Sequence, residues 1–394
     1  MDKHQEFRQQ VRQWLRDNCP VSMRTPAAED EQIWGGRHIE FQSREQQQWF
    51  ERMRDKGWFA PDWPIEYGGG GLDRKQAAIL NQEMTRLQCR PPQLNLGIWM
   101  LGPVLLEFGS EAQKQEHLPR MARGEIRWCQ GFSEPNAGSD LAGLQMKAES
   151  DGDDYIVNGA KIWTSYANKS DWIYALVRTD PKAAKHDGIS LLLIDMTSPG
   201  IEAKPIELIS GESHFCEVFF ENVRVPKANL VGEVNGGWSV AKRLMQHERA
   251  AIANFGGESE SPYVLHQLAK EYIGEHQGRI ADPVIRDQVV SIDINEKAFA
   301  LTLRRTMEEA KQGAGNGAAT SIFKYCSTEQ QKQKGELLLK ILGNRALGWE
   351  GDDYSDQELA ITRDWLQSKT LSIGGGTSEI QLNIIAKRVL GLPA

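Results

Sequence analysis

Two stretches carry residue types that could do chemistry. The first runs from Cys129 to Ser165 and reads CQGFSEPNAGSDLAGLQMKAESDGDDYIVNGAKIWTS. It opens with a polar loop, Ser133 to Asp140, in which Ser133 and Ser139 offer small hydroxyls and Gly138 leaves the backbone bare. Asn158-Gly159 then stands between two alternating runs, a strong hairpin signal. The stretch closes on Lys161, Trp163 and Ser165, alternate residues that would share one face of a strand. A planar indole and small hydroxyls beside free backbone N–H groups suit a flat cofactor with polar edges. The same residues also fit a β-domain edge with an ordinary loop. Local chemistry leaves both readings open.

The second stretch is a helix, GGWSVAKRLMQHERAAIANF. At about 100° per residue, Val240, Ala241, Leu244, Met245, Ala251, Ile252 and Phe255 form one apolar stripe. Glu248 falls in the middle of it, while Lys242, Arg243, Gln246 and Arg249 lie opposite. A carboxylate on a buried face is costly unless it is paired or used. With a raised pKa it would be a base. Paired to an arginine of a neighbouring helix it would be structural. A zinc-protease reading of His247-Glu248 fails, because H-E-x-x-H needs histidine where Ala251 stands.

The first stretch resembles the middle-domain flavin motif of the acyl-CoA dehydrogenases. That family shows T/S-E-P-x-A-G-S-D, then N-G-x-K-x-W-I/T-T/S. Here these are Ser133 to Asp140 and Asn158 to Ser165. YGGGG at 67–71, RVPKANLVGEVNGGW at 224–238 and GGTSEIQLNIIAKRVLG at 375–391 extend the resemblance along nearly the whole chain. It is similar to the large or catalytic subunit of two-subunit bacterial members.

The resemblance implies FAD as cofactor, held by Phe132, Ser133, Gly138, Ser139, Trp163, Ser165 and Thr377. Trp163 would pack on the ring system, Ser165 would approach its N5 edge, and Ser139 would also reach the CoA chain. The implied reaction is α,β-dehydrogenation of an acyl-CoA thioester. A base takes the α-proton and FAD accepts the β-hydride. The family's common base, in Y-E-G-T, falls on Gly375 here, so no carboxylate stands there. The family's other base position falls on Glu248, followed by Arg249. Gly375 and Gly376 remain as the substrate-carbonyl loop, since glycine keeps the backbone N–H.

Two further family motifs act across subunits and look lost. R-x-T/x-F-G should fall near Gly274 to Gly278, which reads GEHQG, and Q-x-x-G-G-x-G near Lys340 to Ala346, which reads KILGNRA. This implies a heterotetramer with a paralogous subunit, with a homo-oligomer as the alternative. An electron-transfer flavoprotein is the implied acceptor. Two other functions stay open: a same-fold oxidase using oxygen, and a non-catalytic subunit supporting a paralogue.

The elements that must position these residues are read as α, then β, then α. We expect an α+β chain of the acyl-CoA dehydrogenase type. An N-terminal helical domain would cover 1–128, a middle β-barrel or sandwich domain 129–236, and a C-terminal helical bundle 237–394. Phe7, Val11, Trp14 and Leu15 recur at helical spacing behind Asp2, a candidate cap. Helices are expected over 42–56, 73–87, 95–108 and 112–121. Asp282-Pro283 should open a long helix through Gln312. Ser355 with Glu358, and Ser378 with Gln381, read as helix starts. Short strands are expected at 155–157, 160–164, 172–177, 190–195 and 216–220.

Bulk properties fit. The 394 residues suffice for two or three domains. A net charge of −8 argues against nucleic acid as a partner. No run of 18 apolar residues occurs, so no membrane helix is expected. The start of the chain is too polar for a signal peptide. Five scattered cysteines without C-x-x-C suggest reduced thiols and a cytoplasmic location.

Overall fold

The computed structural model describes residues 3–25, 27, 31–255, 263–311 and 319–393, and for 248–255, 307, 310, 311 and 319 the backbone alone. The chain divides into two compact units, Met1–Ile206 with His214–His247, and Glu207–Ser213 with Glu248–Ala394.

Among the described residues of the first unit, five α-helices precede the sheet: α1 (Lys3–Asn18), α2 (Arg44–Asp55), α3 (Arg74–Arg86), α4 (Gly102–Phe108) and α5 (Glu111–Ala122). Their starts follow from local chemistry. Ser43, Asp73 and Ser110 each accept a backbone N–H from the first turn, and the last two do so in reciprocal capping boxes. The cap expected at Asp2 lies outside the described residues. Val11 and Leu15 are buried with Trp49, Phe50 and Met53, so α1 uses the apolar face its spacing gave it. Glu83 of α3 is buried and binds Arg8, Arg12 and Arg86.

The strands are β1 (Trp128–Gly131), β2 (Lys147–Asp151), β3 (Asp154–Ser165), β4 (Trp172–Arg178), β5 (Ile189–Asp195), β6 (Ile201–Ile206), β7 (Phe215–Pro226) and β8 (Leu230–Val231). They pair in the order β6-β7-β3-β2-β4-β5-β8, with β1 parallel to β4 off that path. The path has two ends, so among the described residues no closed barrel forms. The sheet nevertheless curls, for β5 touches β7 across three intervening strands. Alternation along β4 shows the two layers. Ile173, Ala175 and Val177 face the core inside the curl, with Val157, Val218 and Val223. Trp172, Tyr174 and Leu176 face a second core shared with Leu105, Leu118 and Met121 of α4 and α5. A strand buried on both faces reads as a continuous apolar run, which is how WIYALV reads. The end strands differ. β8 has two residues, and β6 exposes Glu202, Lys204 and Pro205.

After β8 comes α6 (Gly237–Phe255), which begins in the first unit. Val240, Ala241 and Leu244 are buried there, as the stripe required. The second unit holds α7 (Leu265–Ile273), the short strands β9 (Glu275–His276) and β10 (Arg279–Ile280), α8 (Pro283–Lys311), α9 (Ala319–Leu342), α10 (Asp356–Leu371) and α11 (Ser378–Ile384). Asp282 caps α8 and Ser355 caps α10 with Glu358, both as expected. Leu268, Val289, Leu338, Ile341 and Ile361 form its core.

Candidate active site

The Ser133 loop is held by a buried ion pair. After β1, Phe132 is buried and meets Tyr174 edge-on, and Ser133 accepts the Ile162 N–H at 2.9 Å. Glu134 and Ala137 then exchange two backbone bonds of 2.9 and 3.0 Å, closing a tight turn. The Glu134 carboxylate accepts from the N–H groups of Gln145 (2.6 Å) and Met146 (2.9 Å) and from Lys161 Nζ (2.7 Å). Lys161 also donates to the Phe132 carbonyl at 3.2 Å. Burial pushes the fully enclosed Lys161 ammonium down to about 8, against the opposing pull of Glu134. Beyond this anchor, Gly138, Ser139 and Asp140 are exposed, and their N–H groups have no acceptor among the described residues.

The second motif departs from the expected hairpin. β3 runs unbroken through Asn158-Gly159, and the hairpin loop is Gly152-Asp153, where β2 turns into β3. Asn158-Gly159 instead forms an irregularity opposite β7. Asn158 Oδ1 accepts the Asn222 N–H at 2.8 Å, with Asn222 at φ +50°. Gly159 sits at φ +143°, and a Cβ there would lie 2.9 Å from Met146 Cα. The residue types that favour turns were right, but they serve a bulge.

A second register shift, between Lys161 and Thr164, overturns the shared face of Lys161, Trp163 and Ser165. Trp163 adopts φ +58°, rare for a bulky residue, and the pleat inverts around it. Lys161 is therefore fully buried while Trp163 is 53% exposed, its edge against Phe215. Thr164 is buried with no partner for its hydroxyl among the described residues, and Ser165 is half-buried. The Ser133–Ile162 bond brings the two motifs side by side.

Arg178 fastens the far side of the loop. Its guanidinium is buried and donates to the carbonyls of Ala142 (2.7 Å), Leu144 (3.1 Å) and Lys185 (2.9 Å). Desolvation lowers its pKa. Neither this clamp nor the Glu134–Lys161 pair was identified from sequence.

In the second unit, the side chain of Glu248 lies outside the described residues; the α6 backbone carries it. Gly375 and Gly376 are both left-handed, at φ +65° and +90°. The helix that follows is capped by Thr377, whose hydroxyl accepts the Ile380 N–H at 3.3 Å. This corrects the expected Ser378 cap. Ser378 donates to Glu329 instead, at 2.8 Å, and Gln381 reaches back to the carbonyls of Gly375 (3.1 Å) and Gly376 (3.4 Å). Lys324, which sequence reasoning missed, donates to the Gly376 carbonyl at 2.8 Å.

The two stretches where cross-subunit motifs were expected have local structural uses. GEHQG is the β9–β10 hairpin, with Gln277 and Gly278 at φ +51° and +78°, the geometry of a two-residue turn. In KILGNRA, Arg345 is engaged by the buried Glu358 and donates to the Asp353 carbonyl at 2.6 Å. Among the described residues no cluster of histidine, cysteine or acid could hold a metal ion, and no helix is long and apolar enough to cross a membrane.

Three family descriptions match in chain order: the acyl-CoA dehydrogenase N-terminal domain over residues 1–125, the middle domain over 129–223 and the C-terminal domain over 235–390. The chain belongs to the acyl-CoA dehydrogenase family. It is 33% identical over 394 residues to the acyl-CoA dehydrogenase IpdE1 of Mycobacterium tuberculosis, covering 100% of this chain and 99% of that one. It is 38% identical over 341 residues to FadE34 of the same organism, covering 86% of this chain and 45% of FadE34, so it spans less than half of that relative. Among solved structures, the Tcur3481-Tcur3483 steroid ACAD is similar with a TM-score of 0.77 and 28% identity, covering 99% of this chain and 97% of that one. The ChsE4-ChsE5 complex from Mycobacterium tuberculosis gives 0.74 and 28%, covering 100% and 98%.

Acyl-CoA dehydrogenases are FAD-dependent oxidoreductases, and the residues present fit that cofactor. An exposed indole is held in a strained conformation beside small hydroxyls. Among the described residues the Thr164 hydroxyl lacks a partner, the N–H groups of Gly138, Ser139 and Asp140 have no acceptor, and a Cβ on Gly138 would meet nothing within 4 Å.

Proposed function

We propose that this acyl-CoA dehydrogenase removes hydrogen from the α and β carbons of an acyl-CoA thioester, with Glu248 as the base. The observation that carries the reading is the buried Glu134–Lys161 pair, which fastens the Ser133 loop to the strand presenting Trp163. FAD, when bound, supplies the acceptor for the β-hydride. Phe132, Ser133, Gly138, Ser139, Trp163, Ser165 and Thr377 would hold it. Trp163 offers its ring as a platform and Ser165 its hydroxyl as a donor. Glu248 takes the α-proton, and the N–H groups of Gly375 and Gly376 bond the thioester carbonyl as enolate charge develops. With glycine at 375, Glu248 is the carboxylate left to do this.

The acyl group is of the bulky, ring-bearing class, a reading supported by likeness to a protein named as a steroid ACAD. The working assembly is a heterotetramer with a paralogous chain, supported by likeness to a complex of two such chains and by the two degenerate motifs. An electron-transfer flavoprotein takes the electrons, and the location is cytoplasmic, consistent with five free cysteines. We keep 1–128, 129–236 and 237–394 as the functional domains.

A stopped-flow screen of CoA thioesters under anaerobic conditions tests the reading. The wild-type holoprotein should bleach its flavin with at least one thioester. Glu248→Gln should bind the same thioester and lose about 10²–10⁴ in rate. Near-normal reduction by Glu248→Gln would remove the assignment. Fast reoxidation by oxygen would favour an oxidase.

A further inference from the structure

Two buried side chains hold the Gly375–Gly376 turn from one side. Lys324 is 6% exposed and its ammonium donates to the Gly376 carbonyl at 2.8 Å. Gln381 is 2% exposed and its Nε2 donates to the carbonyls of Gly375 and Gly376 at 3.1 and 3.4 Å. The amide cannot be reversed, since its oxygen would then face two carbonyl oxygens. No peptide bond here is cis. In a trans peptide the C=O and N–H point in opposite directions. With both carbonyls turned onto Lys324 and Gln381, the N–H groups of Gly376 and Thr377 point the other way. Among the described residues the N–H groups of Gly375, Gly376 and Thr377 have no acceptor.

The left-handed glycines make this arrangement possible but do not select it, because glycine also populates other conformations readily. The two buried donors supply the selection. Lys324 adds a second effect. A cation bonded to a carbonyl polarises its peptide and makes the N–H on the far side a stronger donor. Its neighbour Glu329 accepts from Lys332 and Ser378, at 3.0 and 2.8 Å, and also feels the Lys324 charge.

We propose that Lys324 and Gln381 are positioning residues for the thioester oxygen: Gln381, through the Gly375 carbonyl, aims the Gly376 N–H, and Lys324, through the Gly376 carbonyl, aims and strengthens the Thr377 N–H, a further donor beside those of Gly375 and Gly376. The proposal rests on the reading of that turn given under Proposed function. It implies that Lys324 favours the enolate form of a bound thioester more than it favours binding itself.

Acetoacetyl-CoA, which enolises, and free CoA, which has no thioester carbonyl, separate these effects. The holoprotein, with its partner chain where one is needed, is titrated with each. The enolate fraction of bound acetoacetyl-CoA is read by absorbance. Wild type should raise that fraction above its value in solution. Lys324→Met should lower the bound enolate-to-keto ratio roughly tenfold, less than the 10²–10³ seen when a donor is deleted outright. Its affinity for free CoA should stay within about twofold, and Lys324→Arg should recover most of the ratio. Gln381→Leu should move the ratio the same way, which keeps the test alive if Lys324→Met does not fold. If wild type leaves the enolate fraction unchanged, the turn is not the thioester site and the underlying reading fails. If wild type raises it and neither Lys324→Met nor Gln381→Leu lowers it, the positioning role alone is overturned.

Discussion

Lys161 Nζ lies 2.7 Å from Glu134 Oε1, and both side chains are buried. The pair spans two motifs separated by 27 residues in sequence. Glu134 also gathers two backbone N–H groups and Lys161 one carbonyl, so four bonds converge on one point of the loop. A buried pair with its remaining hydrogen bonds satisfied is costly to break on one side, because the other charge is stranded.

Glu134→Gln should therefore destabilise the first unit by roughly 3 kcal/mol and loosen the Ser133 loop. Urea unfolding measures the first effect, and FAD affinity at fixed temperature the second. In a double-mutant cycle, Lys161→Met should be much less harmful in the Glu134→Gln background.

Lys161 also sets a sign for alkaline pH. In the folded protein its pKa is pushed down to about 8 from an ordinary 10.5. Between these values the unfolded chain binds more protons, so the contribution of this group to stability rises with pH. The wild type should thus gain on Lys161→Met as pH goes from 8 to 10. A flat or falling difference in chemical denaturation would contradict the assignment.

Glu83 gives the opposite slope in acid. Arg12, Arg86 and Arg8 hold its carboxyl down to about 2, against burial, from an ordinary 4.5. Its contribution is present above 4.5 and is lost as pH falls toward 2. Glu83→Gln should cost roughly 2 kcal/mol at neutral pH, as the three arginines can partly rehydrate. The gap from wild type should close by pH 2. Denaturation curves at pH 7, 4 and 2.5 check this.

The glycine turn separates neighbouring positions. Gly375→Ala must hold φ near +65° and should cost about 1–2 kcal/mol. A Cβ on Gly374 meets only the Thr370 carbonyl at 3.7 Å, so Gly374→Ala should be nearly neutral. Thermal midpoints of the two variants make the comparison. In Glu248→Gly, adding Gly375→Glu should recover only part of the lost activity, because the new carboxylate arrives on a strained backbone.

Expressed alone, the protein should carry well under one FAD per chain, and co-expression with a paralogous dehydrogenase chain should raise that number. The expectation rests on the β9–β10 hairpin and on Arg345, which give local structural uses to the two stretches where cross-subunit motifs were expected. A homotetramer with one tight FAD per chain and full turnover would refute it.

Local signals were the legible ones. Val11, Leu15, Val240 and Leu244 revealed their buried faces, and Asp282 and Ser355 announced their helices, because a cap acts within one turn of chain. Where partners were distant, the reading failed. Asn158-Gly159 has turn chemistry, but its partner Asn222 lies 64 residues away, so a bulge could not be told from a hairpin. β2 was unseen because KAESD holds one apolar residue, and β6 because its alternation is short and interrupted by Pro205. Thr377 displaced Ser378 as cap because Glu329, on another helix, claims the Ser378 hydroxyl.

The two ends of the β path bear on how the chain survives crowding. A free strand edge is an invitation to polymerise through backbone bonds. Here one edge is only β8's two residues long, and the other alternates acid, base and proline at Glu202, Lys204 and Pro205. A proline has no N–H to offer an incoming strand. Runaway ribbon growth, the route from a nascent β module to amyloid-like deposits, is thus discouraged at both exits. A copy or cousin arriving at either of these two ends meets too little free backbone to add a strand.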